Sequence, residues 1–562
     1  MPNPKSPFPV FPTYTEVFKN GQEEVIANLL QEGLAEKYIV FTTSISALLY
    51  ASHIEGASVQ EKIMMEFKDV IIGTEEGYKI LDWLSDHSQK TLNINNYTLM
   101  ELYCLLLKYK KGHCDNVSLS VSERLLYLKL VLIANERRIH STDNMQKDID
   151  SITPNDAFAY EKLFWPLLLQ ETDVNEVPRI EYEMFRIKSF VEGITNKYPE
   201  TEKIINDFFQ ERGLDCYRSY ASLLAIFFMI FITSYTRDRI LKAGIKEDEK
   251  SQKLFDSLVA NSIKPDTYLD LKSHPVYYYN GGYYVLHWNY LLSQIFIGVF
   301  MALKNKLNES GIQSIKKDCG KIIEHTLFKN VLVTSFCNSW QVSAFDDEGK
   351  GFPDAIPDAI FKIGNSLFVL ELKDNLMGED VMESFDYTYI ENHMNRNFIQ
   401  SDKGKKKGIK QLEAYIKAYV GNKYEALGFA YNKKLNIYPV VIYTDYKYRL
   451  NGLNHYLSIK FGDIVNSYEL SVKRRIRPLT VIGLDCLFNL QYKFRDKKIK
   501  LSSLIENYHR YVKEREKNNA HQGIEKYSQL YPSFDRYLPE NKNYFLAGSE
   551  AKRILKDFLS LK

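Results

Sequence analysis

The stretch 357-PDAIFKIGNSLFVLELK-373 decides the fold of the C-terminal half of this 562-residue chain. Two apolar runs, Asp358–Ile363 and Ser366–Lys373, are separated only by Gly364 and Asn365. A Gly-Asn pair between two such runs is typical of a tight two-residue turn. The stretch therefore predicts an antiparallel β-hairpin.

The open end of this hairpin carries charged side chains. Asp358 begins the first strand and Glu371 lies near the end of the second, so antiparallel pairing brings the two carboxylates together. Glu371 and Lys373 are two residues apart and project from the same face of the strand. Their neighbours Val369 and Leu370 are apolar, and burying charge among apolar residues is costly unless the charge is paired or binds a metal.

Two converging carboxylates form a hard oxygen site, which suits Mg²⁺ or Mn²⁺. Such a metal can polarise a phosphoryl oxygen and lower the pKa of a bound water. A lysine beside the metal can orient that water and stabilise the charge that develops on a phosphate. The chemistry that fits this pattern is hydrolysis of a phosphodiester bond.

The segments around the hairpin alternate between helical and extended patterns. A helical pattern over 312–328 leads into the β-branched run Asn330–Cys337, which is expected to be a strand. After the hairpin, 408–420 predicts a helix, and the apolar runs Ile437–Thr444 and Leu479–Leu484 predict strands. Helices interleaved with strands indicate a mixed α/β core.

These features resemble the PD-(D/E)XK nuclease superfamily, which includes restriction endonucleases and RecB-like nucleases. The resemblance rests on the D-x12-E-x-K spacing from Asp358 to Lys373, on Glu324 in the preceding helix, and on Gln411-Leu-Glu-Ala-Tyr415 as the Q-x3-Y element of RecB-like members. Gln411 and Tyr415 are four apart, so they share a helix face and can point together at the site.

The resemblance implies a role for each of these residues. Asp358 and Glu371 would hold a divalent metal, Mg²⁺ or Mn²⁺, and Glu324 would complete its shell directly or through water. Lys373 would position the attacking water. The near-duplicate PDAIPDAI at 353–360 leaves Asp354 as an alternative ligand, although spacing and strand register favour Asp358.

The resemblance covers about residues 311–450 and extends at most to about 490. It implies a restriction-endonuclease-like domain with a mixed sheet, in which Gln411 and Tyr415 orient the scissile backbone. It says nothing about residues 1–310.

Charge is unevenly distributed around this core. The whole chain carries 73 basic and 71 acidic residues, but 401–517 alone has 25 against 11, a net of +14. The densest part is a run of lysines before the 408–420 helix, which suggests a flexible phosphate-contacting loop. A solvated loop without that role is the alternative. The run comprises Lys403, Lys405, Lys406, Lys407 and Lys410.

Residues 1–310 have a mostly helical period and a net charge of −8, from 33 basic and 41 acidic residues. The segment 264–284 is rich in proline, glycine and tyrosine and predicts a hairpin or a linker. The uncharged stretch 219–236 approaches the length of a membrane span. A buried helix is favoured, because its continuous apolar run, Leu223 to Ile232, is short.

The sequence thus predicts a multidomain α+β and α/β protein with three parts. They are an all-helical regulatory or recognition region at 1–310, with a possible internal boundary at 264–284, a nuclease-like domain at 311–490, and a helical extension at 491–562. Scattered cysteines without a CxxC pair favour a cytoplasmic location.

The expected function is metal-dependent cleavage of nucleic acid, with DNA favoured over RNA. By analogy it would serve prokaryotic restriction or antiphage defence. The helical region would contact a partner protein or a second copy of the chain, and no membrane is expected as a partner. The main alternative is a catalytically inactive protein that binds nucleic acid or supports assembly.

Overall fold

The computed structural model describes most of the chain, and the structural statements below concern that part. Within it, some side chains are not described, among them those of residues 229–238 and 324–325. The described residues are 12–55, 59–86, 94–112, 118–141, 143–153, 155–175, 179–238, 249–261, 268–312, 318–319, 321–322, 324–336, 342–344, 356–519, 527, 529–540 and 558.

Helices make up most of the described structure. In chain order they are α1 (Tyr14–Phe18), α2 (Gln22–Ala27), α3 (Leu34–Glu55), α4 (Val59–Met65), α5 (Lys68–Gly73), α6 (Glu75–Asp86), α7 (Asn96–Tyr109), α8 (Val121–Ser141), α9 (Asp143–Asp150), α10 (Ala159–Asn175), α11 (Ile180–Lys197), α12 (Glu202–Gln210), α13 (Tyr217–Asp238), α14 (Glu249–Asp256), α15 (Tyr268–Ser273), α16 (Trp288–Ser293), α17 (Val299–Glu309), α18 (Lys329–Phe336), α19 (Glu379–Met382), α20 (Tyr387–Phe398), α21 (Gly408–Val420), α22 (Leu453–Val465), α23 (Leu470–Lys473), α24 (Leu484–Arg495), α25 (Leu501–Asn519) and α26 (Phe534–Glu540). Two π-helical turns, Gln294–Gly298 and Glu324–Phe328, interrupt this series.

The strands form two sheets. They are β1 (Val276–Tyr279), β2 (Gly282–Val285), β3 (Val342–Ala344), β4 (Ala359–Ile363), β5 (Ser366–Lys373), β6 (Asn436–Tyr443) and β7 (Thr480–Gly483). Strands β1 and β2 make a separate antiparallel hairpin, and the other five strands make one sheet in the order β3-β4-β5-β6-β7.

The chain divides into two compact units. One combines Asn144–Pro199 with Leu307–Lys562, and the other combines Lys5–Asp143 with Glu200–Lys306. The sequence places 144–199 in the N-terminal helical region, whereas the structure packs this segment with the C-terminal part. Within the first unit, the Trp165 indole N–H donates to the Asn451 carbonyl over 3.0 Å.

The second unit is held by aromatic packing between helices. Tyr127 on α8 lies 5.6 Å from Tyr38 on α3, ring centroid to ring centroid, and stacks on Phe67 at 5.8 Å. A Lys37–Glu123 ion pair of 2.7 Å links α3 and α8 at the rim of this cluster. Buried aromatic pairs of this kind stabilise a core by more than their buried area alone.

The five-stranded sheet of the first unit is mixed. Strands β3, β4 and β5 are antiparallel neighbours, whereas β5, β6 and β7 run parallel. Parallel neighbours need a crossover connection, and helices α19, α20 and α21 lie between β5 and β6 in the chain. As a result, β5, β6 and β7 all end at one edge of the sheet, which we call the carboxyl edge.

An aromatic ladder covers one face of this sheet. Phe361, Phe368 and Tyr438 stack across β4, β5 and β6, with centroid separations of 4.9 Å at each step. Phe336 of α18 packs on Phe361 at 4.8 Å and on Phe494 of α24 at 5.1 Å. Burial of each such side chain contributes roughly 1.5–3 kcal/mol. Helix α21 packs against β5 and β6.

The strand predicted at Asn330–Cys337 is wrong, because residues 329–336 form helix α18. Val331, Leu332, Ser335 and Phe336 are its buried residues and share one helix face, which packs on α24. Tertiary packing therefore overrides the β preference of these valines. The first strand of the sheet comes later, at β3.

Other predicted elements are confirmed. The hairpin forms as β4 and β5, the helix at 408–420 is α21, and the two later strands are β6 and β7. The segment 264–284 contains part of a hairpin, β1 and β2, so the N-terminal region is not all-helical. Within the described residues, no helix has the length and apolar character needed to cross a membrane.

Candidate active site

The β4–β5 hairpin brings Asp358 and Glu371 together as expected. Ala359 pairs with Leu370, which places Asp358 across from Glu371. The turn needs Gly364, whose φ of 57° lies in the left-handed region. Asp358 is anchored by one carboxylate oxygen, which accepts the Leu372 backbone N–H over 2.6 Å.

Glu371 is the centre of a buried hydrogen-bonded group. One of its carboxylate oxygens accepts from Lys373 Nζ at 2.7 Å, and the other accepts from the Tyr415 hydroxyl at 2.8 Å. Lys373 also donates to Gln411 Oε1 at 2.8 Å, and the Gln411 amide donates to the Tyr415 hydroxyl at 3.2 Å. Glu371, Lys373 and Tyr415 are only 2%, 6% and 4% exposed. The structure thus brings together four residues predicted from the sequence.

Helix α21 presents Gln411 and Tyr415 to the hairpin because its apolar face packs on the sheet. Ile409, Leu412 and Ile416 are buried on that face. The helix begins at Gly408, where a Cβ would come within 2.3 Å of the Phe398 carbonyl oxygen. A glycine is therefore required at the start of the helix, and the close approach fixes where its first turn begins.

The surroundings of Glu371 perturb the pKa of its carboxyl group. Burial, and then the negative charge of Asp358, raises the pKa of Glu371 to about 7, although Lys373 and Tyr415 act in the opposite direction. Burial and the Glu371 charge also raise the pKa of Tyr415, so its hydroxyl stays protonated and donates. Two carboxylates across a strand pair repel each other, and a cation between them would relieve the repulsion.

The oxygen donors of Asp358 and Glu371 fit a hard divalent cation such as Mg²⁺ or Mn²⁺. The described residues include no group of three or more His, Cys, Asp or Glu side chains arranged to hold a metal. The side chain of Glu324 and all of Asp354 lie outside the described residues, so their predicted parts in the metal shell stay predictions.

The lysine run forms a hydrogen-bonded turn. Ser401 N–H donates to the Lys405 carbonyl, Gly404 N–H to the Ser401 carbonyl and Lys407 N–H to the Ile399 carbonyl, over 2.8–2.9 Å. Gly404 has a φ of 74°, which the turn requires. The side chains of Lys403, Lys405 and Lys406 are exposed, as a phosphate-contacting loop would need.

The other two lysines of the run differ from these. Lys410 donates to the side chain of Gln400 within the turn. Lys407 is half-buried and immediately precedes α21. Burial, and then the positive charges of Lys373 and Lys405, lower the pKa of Lys407. Lys407 is therefore the member of the run that interacts with the Glu371–Lys373 pair.

One histidine near these motifs in the sequence has a structural role. His393 contacts the Tyr448 hydroxyl at 3.0 Å and the Asn397 side chain at 2.9 Å. Burial lowers the pKa of His393 to about 4. The neutral imidazole therefore serves to pack α20 against Tyr448.

Sequence reasoning missed three exposed lysines, Lys362, Lys433 and Lys434, which line one groove of the same unit. The Lys433-Lys434 pair shortly before β6 was the sequence feature that could have indicated this basic surface.

No family model matches this chain, and no curated protein or solved structure is significantly similar to it.

Proposed function

We propose that the chain is a divalent-metal-dependent nuclease with a restriction-endonuclease-like core in its first unit. The observation that carries the proposal is Glu371, a buried carboxylate held by Lys373 and Tyr415 opposite a second carboxylate, Asp358. The sequence resemblance predicts these residues, and the hairpin register and the packing of α21 bring them close together.

The sheet supports the proposed fold. Three antiparallel strands, β3, β4 and β5, are followed by α21 and by β6, which runs parallel to β5. This is the strand and helix order that the superfamily resemblance implies. The helix that precedes β3 is α18, together with the π-helical turn that begins at Glu324.

Each residue has a part that follows from its contacts. Asp358 and Glu371 would hold the metal, which when bound polarises a phosphoryl oxygen and acidifies a bound water. Lys373 Nζ is held beside them, because it donates to Glu371 and Gln411. Gln411 and Tyr415, which bond to Lys373 and Glu371, would orient the phosphodiester backbone. DNA is the favoured substrate.

The substitution Glu371→Gln tests the proposal, with Glu506→Gln as its matched control. Glu506 also accepts a tyrosine hydroxyl, from Tyr438 over 2.6 Å, but is exposed. Supercoiled DNA, linear duplex, single-stranded DNA and RNA are incubated with Mg²⁺ or with EDTA. We expect Mg²⁺-dependent cleavage by wild type and Glu506→Gln, and at least about 10²-fold less by Glu371→Gln.

Titration calorimetry with Mn²⁺ gives a second readout that needs no substrate. Wild type and Glu506→Gln should bind the ion, and Glu371→Gln should not. Equal cleavage by all three proteins would show that the assigned site does not cut. Absence of both cleavage and Mn²⁺ binding in folded wild type would exclude the nuclease proposal.

One observation favours the alternative of an inactive nucleic-acid-binding protein. Both oxygens of Glu371 already accept protein donors, as they would in a site that has lost its metal. The same calorimetry separates the two candidates, since an inactive protein would bind DNA without binding Mn²⁺.

A further inference from the structure

A basic groove lies at the end of helix α21 away from the lysine run. It has a volume of about 560 Å³, and its lining includes Lys362, Tyr431, Asn432, Lys433 and Lys434. Lys362 is on β4, and the other residues lie in the turn that leads into β6. We call this feature the distal basic groove.

No acidic side chain is among the described residues that line the groove. Lys362, Lys433 and Lys434 are exposed, and no acidic side chain in the described part of the chain lies within ion-pair distance of them. Glu425, on the preceding turn, accepts from the Asn422 side chain. Three exposed cations around a concave surface attract a polyanion.

Two further exposed arginines lie in the segment that pairs with the start of β6. The Ile437 N–H donates to the Arg475 carbonyl at 2.9 Å, and the Arg477 N–H donates to the Ile437 carbonyl at 2.8 Å. Ile437 is three residues after Lys434, so the 474–477 segment lies beside the start of β6. Arg474 and Arg475 are exposed in this segment.

The groove is built onto α21 by specific bonds. The Asn432 N–H donates to the Tyr419 hydroxyl at 3.0 Å, and the rings of Tyr431 and Tyr419 meet edge to face at 5.4 Å. The Tyr431 N–H also donates to the Asn422 side chain at 2.7 Å. Tyr431 is half-buried, so part of its ring remains available for stacking on a base.

Helix α21 connects this groove to the candidate active site. Its N-terminal end carries the lysine run and Gln411, and its last turn carries Tyr419. Thirteen helical residues span about 20 Å at 1.5 Å per residue. Asp358, just before β4, and Lys362 on β4 are four residues apart on one face, which is roughly 13 Å.

We propose that the distal basic groove binds the phosphate backbone of the nucleic acid that the active site acts on, at about 4–6 nucleotides from the point of attack. That spacing follows from about 13–20 Å of protein at ~3.4 Å per base step. The proposal deepens the proposed function and rests on it for the active-site end. Phosphate contacts of this kind position the substrate without reading its sequence.

The test is direct binding by the full-length chain in EDTA, measured by fluorescence anisotropy with labelled DNA of about 24 and about 4 nucleotides, across a salt series. Three double variants are compared with wild type. Lys433→Ala/Lys434→Ala removes the groove charge, and Lys433→Arg/Lys434→Arg preserves it. The control, Lys513→Ala/Lys517→Ala, removes two exposed lysines from α25.

We expect the groove alanine variant to bind the long DNA about 10-fold more weakly, with a salt slope smaller by about 1–2, since each lost contact removes about 0.9. Its binding to the short DNA should match wild type, and the arginine and control variants should match wild type on both. Equal binding of the long DNA by wild type and the groove variant would overturn the proposal. So would an equal loss on both lengths.

The binding readout separates this proposal from the nuclease proposal. Groove-dependent binding of long DNA by a protein that never cleaves would support the groove and exclude the nuclease. Cleavage that needs Glu371 but proceeds at the wild-type rate on long DNA in the groove variant would support the nuclease and overturn the groove.

Discussion

Two groups of carboxylates lie near the carboxyl edge of the sheet, and they differ in the cations beside them. The first is the candidate active site, with Asp358 and Glu371. The second consists of the acidic residues that follow β5, β6 and β7 and one on α26, which we call the edge carboxylates. They are Asp374, Asp445, Asp485 and Asp535.

The edge carboxylates are matched by permanent partners within the protein. Asp485 pairs with the Arg449 guanidinium and lies 3.7 Å from that of Arg179. Asp445 accepts the Met377 backbone N–H at 2.8 Å. Because arginine stays protonated and a backbone amide stays a donor, the partners of Asp445 and Asp485 do not change with pH.

The remaining two edge carboxylates rely on hydroxyl and amide donors. Asp374 accepts from the Thr444 hydroxyl, and Asp535 accepts from the Gly483 N–H at 3.2 Å and from the Tyr443 hydroxyl. Burial raises the pKa of both carboxyls, that of Asp535 to about 6. These bonds join β5, β6, β7 and α26.

The two groups differ in the kind of cation that each one contains. The edge carboxylates tie the strand ends to neighbouring helices, and their donors are fixed. After burial, a second carboxylate raises the pKa in both groups: Asp358 raises that of Glu371, and Asp485 raises that of Asp535. The edge group offsets this repulsion with the Arg449 guanidinium, which stays charged, whereas the candidate active site has the Lys373 ammonium.

The largest expected effect is on folding. Arg449→Met leaves Asp485 buried without its main cation, and removing one partner of a buried pair costs about 3–5 kcal/mol. The control Arg495→Met breaks a more exposed pair with Asp496 and should cost less than about 1 kcal/mol. Urea denaturation of both variants measures the difference. Equal midpoints would mean that the edge carboxylates are not structural.

The next largest effect is on catalysis. Lys373→Met removes the ammonium beside Glu371 while keeping an apolar stem of similar length, and we expect cleavage to fall about 10²–10³-fold. Lys417→Met, on the exposed side of α21, is the control and should retain activity. A similar loss of cleavage in both variants would mean that the effect comes from removing any positive charge, and not from the candidate active site.

The sequence predicted the site better than its surroundings. Asp358, Glu371 and Lys373 lie on one continuous hairpin, and Gln411 and Tyr415 on one helix, so local periodicity fixed their mutual positions. The contact between hairpin and helix could be anticipated only from the resemblance, because it depends on how α21 packs across β5.

The predictions that failed concern segments whose structure depends on long-range packing. The 330–337 run has β-branched residues at positions that also suit a helix face, and its contact with α24 decided between them. The placement of 144–199 with the C-terminal part depends on contacts such as Trp165 with Asn451, which are far apart in sequence. Single-sequence patterns carry no information on such pairs.

A third effect concerns stability and pH. The pKa of Glu371 is about 7 in the folded chain and ordinarily 4.5, so the folded state binds this proton more tightly. Its contribution to stability is full below about pH 4.5 and is lost as the pH rises through 7. Glu371→Gln, which stays neutral, should therefore be more stable than wild type at pH 8 by about 1–3 kcal/mol.

Thermal unfolding of metal-free protein between pH 5 and pH 8 measures this effect. The advantage of Glu371→Gln should shrink at pH 5, and adding Mg²⁺ at pH 8 should stabilise wild type but not Glu371→Gln. The control Glu506→Gln should follow wild type throughout. A variant that is less stable than wild type at pH 8 would show that the Lys373 and Tyr415 bonds outweigh the repulsion.

The smallest effect separates the partners of Glu371. Tyr415→Phe removes one donor to a buried carboxylate and should cost about 1 kcal/mol of stability at pH 5–8, with activity reduced about tenfold or less. The matched control is Tyr468→Phe, whose hydroxyl donates to a backbone carbonyl of the same helix, that of Glu413, at 3.1 Å.

The pH profile decides what the Tyr415 hydroxyl does. Because this donor stabilises the charged form of Glu371, its loss should raise the pKa of that carboxyl further. The activity of Tyr415→Phe should then rise at higher pH than that of wild type, whereas Tyr468→Phe should keep the wild-type profile. An unshifted profile with reduced activity would mean that Tyr415 contacts the substrate backbone and does not tune Glu371.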